Sequence, residues 1–427
     1  MADDFHNISI IAQRWPSLAK TLNQQDISCL NASLVKGREE TISIDGIQLS
    51  SRHNRATEAQ LLVSQIPDDA EVINLYGTAL GDLQQAILQR KNIRLLRVFI
   101  LNEAVFSLVL KHTDQSSWLN DPRVSLQTPL ANEEVKHPFI SIAPELSLAS
   151  DQHLKLRDHI LNENQTNFIY KNHINNSASI NEQINKNIDL IKSDNDVQSL
   201  FNSRRHSKAF VIGTGPSLER CYTYIKSACK NENILIIAVD TAFKALTANS
   251  IKPDIVVTVD EETNTNELSP QHSEGISLVY FPRTNINVLS AWRGKRYTSY
   301  STSPAYNRIS ETHPKGRLYS GGSVIHPAVD LAVKMGANSI TLFGCDFGFH
   351  SNKTHAEWKE GELGLDYTNN QGQVKNGYGE MIATVPNFRS YLCNLENYIK
   401  LHPHITFYNS CRYGALIAGT EYIEAKL

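Results

Sequence analysis

Cysteine is scarce: six residues, at positions 29, 221, 229, 345, 393 and 411, with no Cys-x-x-Cys pair. That spacing suits neither a structural zinc site nor the disulfide framework of a small secreted protein. An excess of either charge is lacking too. Charged residues make up 20% of the chain and the formal net charge is −3. The basic imbalance of a nucleic-acid-binding protein is missing, so no nucleic-acid partner is expected. No apolar run approaches the roughly 18 residues that span a bilayer. Met1–Phe5 lacks both the cationic start and the apolar core of a signal peptide. These absences point to a soluble cytoplasmic protein with no membrane partner. Two phosphate signatures are also incomplete: no Gly-Lys-Ser/Thr completes a Walker A loop, and the early βα unit lacks the full Gly-x-Gly-x-x-Gly.

What is present is a series of βα units. The 427 residues leave room for two or three domains. Ile42–Leu49 alternates and turns at Asp45-Gly46, which predicts a β-hairpin. Glu71–Gly77 reads as a buried strand, Gly77-Thr78-Ala79-Leu80-Gly81 as a turn into a helix, and Arg94–Ile100 as a second strand followed by Asn102-Glu103. Strand, glycine turn, helix, strand and acid imitate half of a dinucleotide-binding fold, as a ligand site or only as a scaffold. Past residue 160 the composition shifts to Asn, Ser, Lys and Ile, and Ile180, Ile184, Ile188 and Ile191 mark one face of an amphipathic helix. The expected division is residues 1–160 as an N-terminal domain, 161–205 as a helical linker and 206–427 as the catalytic domain. The expected class is α/β, with Rossmann-like, open, mostly parallel sheets in two domains.

The second series carries more chemistry. The strand Ala209–Ile212 runs into Gly213-Thr214-Gly215-Pro216-Ser217, whose glycines allow close backbone approach and whose Ser217 can start a helix facing a phosphate. The strand Ile234–Val239 ends at Asp240, and Ile255–Val259 ends at Asp260-Glu261-Glu262. Three strands thus deliver Gly213, Asp240 and Asp260 to their C-terminal ends, the edge where open α/β sheets bind ligands. Each carboxylate can equally cap a helix or a turn. Further on, Gly321-Gly322-Ser323 precedes a helical pattern through Ile325, Ala328, Ala332 and Met335, a second phosphate cradle in which Ser323 caps the helix. The strand Ser339–Phe343 then leads to Gly344-Cys345-Asp346, and Lys353-Thr354-His355-Ala356 closes the stretch. The plain alternative is an ordinary helix–strand unit with tight turns.

Together these segments resemble the motility accessory factor (Maf) family of flagellin-modifying glycosyltransferases. The matches are Gly213–Leu218, Pro253–Asp260, Ser320–Ser323, Gly344–Asp346, Thr354–Ala356 and Asn409–Gly419, with Asn74–Gly77 in the first domain. The C-terminal part is similar to bacterial sialyltransferases in its Gly-x-Gly-Pro-Ser turn. It is also similar to pterin diphosphokinases in that turn and in its Pro-Asp-strand-Asp pattern. The resemblance implies transfer of a nonulosonic acid, pseudaminic or legionaminic, from its CMP donor to Ser or Thr of flagellin. It implies no required cofactor; clustered acids allow Mg²⁺ without demanding it, and an oligomer is compatible. Gly213, Gly215, Pro216, Ser217, Gly321, Gly322 and Ser323 would hold CMP, and Asp240 and Asp260 would bind ribose or cytosine. The sialyltransferases place a catalytic His ahead of their last long helix, but Gly377–Phe388 has none here. His355 is the substitute base, oriented by Asp346, and a surface-loop histidine is the plain alternative. Two other functions stay open: an ATP/Mg²⁺-dependent pterin diphosphokinase, and a non-catalytic flagellar accessory factor.

Overall fold

The computed structural model describes residues 6–130, 133–175, 177–349, 355–357 and 372–423. His350, Lys353 and Thr354, which belong to the closing motif, lie outside the described residues. The chain divides into two compact units, Met1–Asn164 and Gln165–Leu427. No described helix is long and apolar enough to cross a membrane.

In the first unit, β1 (Ala32–Lys36), β2 (Glu40–Ile44) and β3 (Ile47–Gln48) form an antiparallel sheet. The β2–β3 turn places Asp45 and Gly46 at positive φ, as a tight hairpin demands. Four parallel strands follow: β4 (Val72–Tyr76), β5 (Leu95–Phe99), β6 (Val124–Gln127) and β7 (Phe139–Ser141), in the order β6-β5-β4-β7. The chain leaves β4 in one direction and returns on its other side at β7. A topological switch point therefore lies between β4 and β7. Asn102 caps the helix Glu103–His112 by accepting from the backbone of Ala104 and Val105.

The second unit is built on nine strands. They are β8 (Asn195–Asp196), β9 (Ser207–Ile212), β10 (Leu235–Val239), β11 (Ile255–Thr258), β12 (Ser277–Tyr280), β13 (Arg296–Thr298), β16 (Ala337–Phe343), β19 (Thr406–Asn409) and β20 (Glu421–Tyr422). All are parallel, in the order β20-β19-β16-β9-β10-β11-β12-β13-β8. Two small two-stranded sheets accompany it: β14 (Tyr300–Ser301) with β15 (Arg317–Leu318), and β17 (Gln373–Lys375) with β18 (Met381–Ala383). Every residue of β10 is buried, as is the apolar end of β9. Such continuous apolar runs mark strands covered on both faces. Helix Ile325–Met335 buries Ile325, Ala328, Val329, Leu331, Ala332 and Met335 and ends at Gly336 with φ +100. Each fully buried Ile, Val, Leu or Met among them contributes roughly 1.5–3 kcal/mol, and the glycine supplies the left-handed stop.

The chain order explains where a site forms. From β9 the strands proceed outward through β10 to β13, and β16 then returns on the other side of β9. The switch point is therefore between β9 and β16, the two strands that carry the glycine motifs. The stretch marked by the isoleucines is helical but forms two helices, Ser177–Lys186 and Ile188–Ser193, broken at Asn187 rather than one, and Asn195–Asp196 beyond them is already an edge strand of the large sheet.

Candidate functional site

Two backbone turns interlock across this switch point. Gly213 N–H donates to Phe343 O at 2.8 Å, and Gly215 N–H donates to Gly344 O at 2.8 Å. A Cβ at Gly213 would lie 2.6 Å from Gly344 O, and one at Gly344, where φ is +60, would lie 2.6 Å from Gly213 O. Part of the glycine requirement is thus turn against turn, a packing cause the sequence could not separate from ligand approach.

Asp346 completes the clasp. Its Oδ2 accepts from Ser217 N–H at 2.8 Å, and its Oδ1 accepts from the Ser217 hydroxyl. A Cβ on Gly215 would meet that carboxylate at 2.6 Å. Asp346 and Ser217 are both buried. Ser217 therefore lies in the short 3-10 turn Pro216–Arg220 and serves the protein's own carboxylate rather than an outside phosphate. The carboxylate of Asp346 engages the Gly213–Ser217 turn, which makes it a positioning group.

Above the clasp is a cavity of about 170 Å³. The glycine turn (Gly213, Thr214, Gly215), the β16 end (Gly344–Gly348), the helix start (Ser323, Val324, Ile325), Val239, Thr241, His355, Phe388 and Tyr391 line it. His355 is held there by its neighbour, since Ala356 N–H donates to Thr214 O at 2.7 Å. Burial lowers the imidazole's pKa below its ordinary 6.5, which favours the neutral ring at pH 7. The start of Ile325–Met335 opens on the same space, where Val324 and Ile325 present N–H groups that the helix itself does not use, while His326 N–H donates to Ser323 O and Pro327 has none.

Gly321 and Gly322 have a different task from the one expected. A Cβ on Gly321 would lie 2.8 Å from the His326 ring and 2.9 Å from Asn394, and one on Gly322 (φ +96) would lie 2.8 Å from Tyr391. These glycines let the chain pass against helix Pro386–Lys400, and neither lines the cavity. Ser323 does line it, but its side chain does not cap the helix. The buried His326 closes that turn instead: Nδ1 faces Ser323 N–H at 3.2 Å and Nε2 faces Tyr391 O at 3.0 Å. Burial lowers its pKa to about 4, so the neutral ring accepts at Nδ1 and donates at Nε2.

The strand-end acids separate. Asp240 is fully buried behind the cavity wall formed by Val239 and Thr241. Its Oδ2 accepts from Thr258 at 2.8 Å and Thr263 at 3.2 Å, and its Oδ1 accepts from Thr241 N–H at 2.8 Å. Desolvation outweighs these bonds and pushes its pKa up to about 6. Asp260 pairs with Arg283, whose Nε donates to Val259 O at 2.8 Å. Neither acid lines the cavity, and among the described residues Asp240, Asp260 and Glu261 do not converge as a three-ligand metal group. Conversely, sequence reasoning missed Thr241, Phe388 and Tyr391. Phe388 and Tyr391 stand three residues apart on one helix, a spacing that could have placed both on the same face.

Comparison with known proteins gives matches at low identity. The family model described as "6-hydroxymethylpterin diphosphokinase MptE-like" matches residues 182–352. Among solved structures, the chain is similar to a MAf glycosyltransferase from Magnetospirillum magneticum AMB-1. The identity is 14% and the TM-score 0.42, covering 98% of this chain and 74% of that one. It is also similar to spermidine synthase from Thermotoga maritima, with 16% identity and a TM-score of 0.21, over 25% of this chain and 40% of that one. No curated protein matches the sequence. Two of the families that the motifs resemble, Maf and pterin diphosphokinase, are thus among the matches.

Proposed function

We propose that this protein is a glycosyltransferase that moves a nonulosonic acid, pseudaminic or legionaminic, from its CMP donor to a Ser or Thr hydroxyl of flagellin. The observation that carries the reading is one cavity at the β9/β16 switch point that joins the glycine turn, the helix start and His355. Open α/β sheets bind phosphorylated ligands at such a crevice, and helix N-termini favour phosphate. In the proposed step the acceptor hydroxyl oxygen attacks the anomeric carbon of the sugar. The bond from that carbon to the CMP phosphate oxygen breaks, and CMP departs with the electron pair. His355, kept neutral by burial, takes the hydroxyl proton. The Thr214 N–H of the glycine turn and the Val324 and Ile325 N–H groups at the helix start stabilise the leaving phosphate. Asp346 holds the turn in place through Ser217. The step as written requires no metal, and Mg²⁺ on the donor phosphate is compatible with it.

A second reading, a pterin diphosphokinase using ATP and Mg²⁺, is favoured by the family match over residues 182–352. It needs strand-end acids as metal ligands. Asp240 is already engaged by Thr241, Thr258 and Thr263, and Asp260 by Arg283. His355, which lines the cavity, lies beyond the matched segment. These features weigh toward the transferase.

The deciding experiment compares the intact mass of flagellin from cells with and without this gene, in a strain that makes a nonulosonic acid. The expected result is loss of one or more sugar masses on deletion; an unchanged mass rejects the transferase. In a purified reaction, His355→Ala should lower transfer about 100-fold. The acid limb of the wild-type pH–rate profile should lie below pH 6.5, the direction of the histidine's shift. Melting stabilised by ATP with Mg²⁺ and not by CMP would favour the kinase instead.

A further inference from the structure

The surface beside the cavity carries a group of side chains that the transfer step does not use. Arg220 ends the 3-10 turn that contains Ser217, and its guanidinium lies over the Tyr413 ring at 4.3 Å. Tyr378 meets Tyr413 edge-on with centroids 5.2 Å apart. Arg412 lies over the Tyr422 ring at 4.0 Å. Tyr378 and Tyr413 are 54% and 42% exposed, unusual for such large rings, and both arginines are exposed as well. Neither arginine forms an ion pair with a carboxylate among the described residues. Nearby acids are engaged elsewhere: Glu219 accepts from Glu357 N–H at 2.7 Å and Glu380 from Asn376 at 3.0 Å, while Glu421 pairs with neither arginine.

This group is tied to the site by backbone. Ala415 N–H donates to Asp346 O at 2.7 Å, and Gly377 N–H donates to Arg412 O at 2.8 Å. A Cβ on Gly414 would lie 2.8 Å from Asp346 Cα. The platform therefore begins one residue from Gly414, which packs against the residue whose carboxylate clasps the glycine turn. Arginine and tyrosine are the residue types that dominate protein recognition surfaces, and stacking on a ring pre-orients the guanidinium fork for a carboxylate.

We infer that Arg220, Tyr378, Arg412 and Tyr413 form a docking platform for an acidic stretch of the acceptor polypeptide, placing a neighbouring hydroxyl at the cavity. The inference rests on the transferase reading for the acceptor's identity, while the docking itself is measured without any transfer. Two arginines without an ion-pair partner among the described residues favour an acidic occupant. The absence of a basic excess in the chain, at 41 Lys and Arg against 44 Asp and Glu, argues for a polypeptide over nucleic acid. The aromatic rings supply apolar contact that a bare anion site would not need.

Fluorescence anisotropy of the full chain with a labelled Glu/Ser probe peptide, without donor, tests this. The Glu probe should bind at least about tenfold more tightly than its Gln/Ser counterpart. Arg220→Gln with Arg412→Gln should remove about tenfold of that affinity. Arg220→Lys with Arg412→Lys should fall between, because lysine keeps charge but loses the stacked plane. Melting curves of each double variant should match wild type, since all the altered groups are exposed. Equal binding of the Glu and Gln probes, or no loss in the Gln variant, overturns the proposal. So does tighter binding of a single-stranded oligonucleotide of equal charge. CMP-induced stabilisation, measured on the same samples, separates a failed platform from a failed donor site.

Discussion

The two units solve the same topological problem with opposite results. Each has a parallel sheet whose chain reverses direction, each has glycine after a strand at its switch point (β4 and β9), and each brings a buried acid to that turn. In the first unit Glu145 enters the turn after β4. It accepts from Thr78 N–H at 2.9 Å, the Thr78 hydroxyl at 3.0 Å and Ala79 N–H. Those are the donors that a phosphate would use, and the carboxylate already takes them. Burial raises the pKa of Glu145 against the pull of the three bonds. In the second unit Asp346 reaches one step further along the turn, to Ser217, and leaves Gly213, Thr214 and Gly215 on the cavity wall. A carboxylate inside the cradle closes it, and a carboxylate behind the cradle braces it. The cavity near the first switch point, about 260 Å³, is walled by Leu49, Ala59, Leu62, Leu83 and Ile142 beside the Arg55–Asp82 pair. It has no glycine on its wall.

The largest expected effects come from removing the two acids. Asp346→Ala frees Ser217 and should lower transfer and CMP affinity by about 100-fold or more, with a stability loss of roughly 2–4 kcal/mol. Asp346→Asn should recover part of both, because the amide oxygen still accepts from Ser217 N–H. Glu145→Ala should cost a similar amount in urea unfolding, because it leaves two buried backbone donors unmatched. CMP affinity should stay within about twofold, since that cradle serves no nucleotide. Equal damage to CMP binding by both alanine variants would break the contrast between closed and braced turns.

Smaller effects come from the glycines. Gly215→Ala sets a methyl 2.6 Å from the Asp346 carboxylate and 2.8 Å from Gly344 O, so the brace must shift. We expect a loss of about 1–3 kcal/mol and weaker CMP binding. Gly77→Ala meets Ile142 and Glu145 at 3.0 and 3.2 Å with φ at +108. It should cost about 1–2 kcal/mol through backbone strain without a change in CMP affinity. Calorimetric binding and melting curves on the two variants sharpen the contrast, because the alanine is the same and only its surroundings differ.

Much of this was legible in the sequence, because local signals and the global fold agree. Buried parallel strands are continuous apolar runs, so β9, β10 and β11 stood out as Ala209–Ile212, Ile234–Val239 and Ile255–Val259. The edge strands β8 and β20 span two residues each and carry no pattern to read. Site residues followed the same division. Gly213, Gly215 and His355 line the cavity, whereas Gly321 and Gly322 turned out to pass a helix some 70 residues further along the chain. A glycine pair before a helix looks the same whether it admits a phosphate or a neighbouring helix. Only the partner across the gap distinguishes them, and no local pattern names that partner. The same ambiguity hid the role of Asp346. A strand-ending acid near a histidine suggests a catalytic pair, and the carboxylate also bonds Ser217, a partner 129 positions away that no local pattern names.

The smallest effect concerns the third buried acid, Asp240, which neither fills nor braces a glycine turn. Its carboxyl is pushed up to about 6 by desolvation, from 3.8. The folded state therefore holds the proton more tightly than the unfolded chain does. That contribution to stability is complete below about pH 4 and is lost as pH rises through about 6. Between pH 5 and pH 7 the loss should amount to about 1 kcal/mol. Asp240→Asn keeps the shape and can still meet the Thr258 and Thr263 hydroxyls, which rotate to accept. Its unfolding free energy should therefore lack this component, so the variant should gain on wild type across the window. Urea titrations at pH 5, 6 and 7 measure the difference. A variant that loses ground as pH rises would mean that the charged carboxylate, not the acid, is the stabilising form.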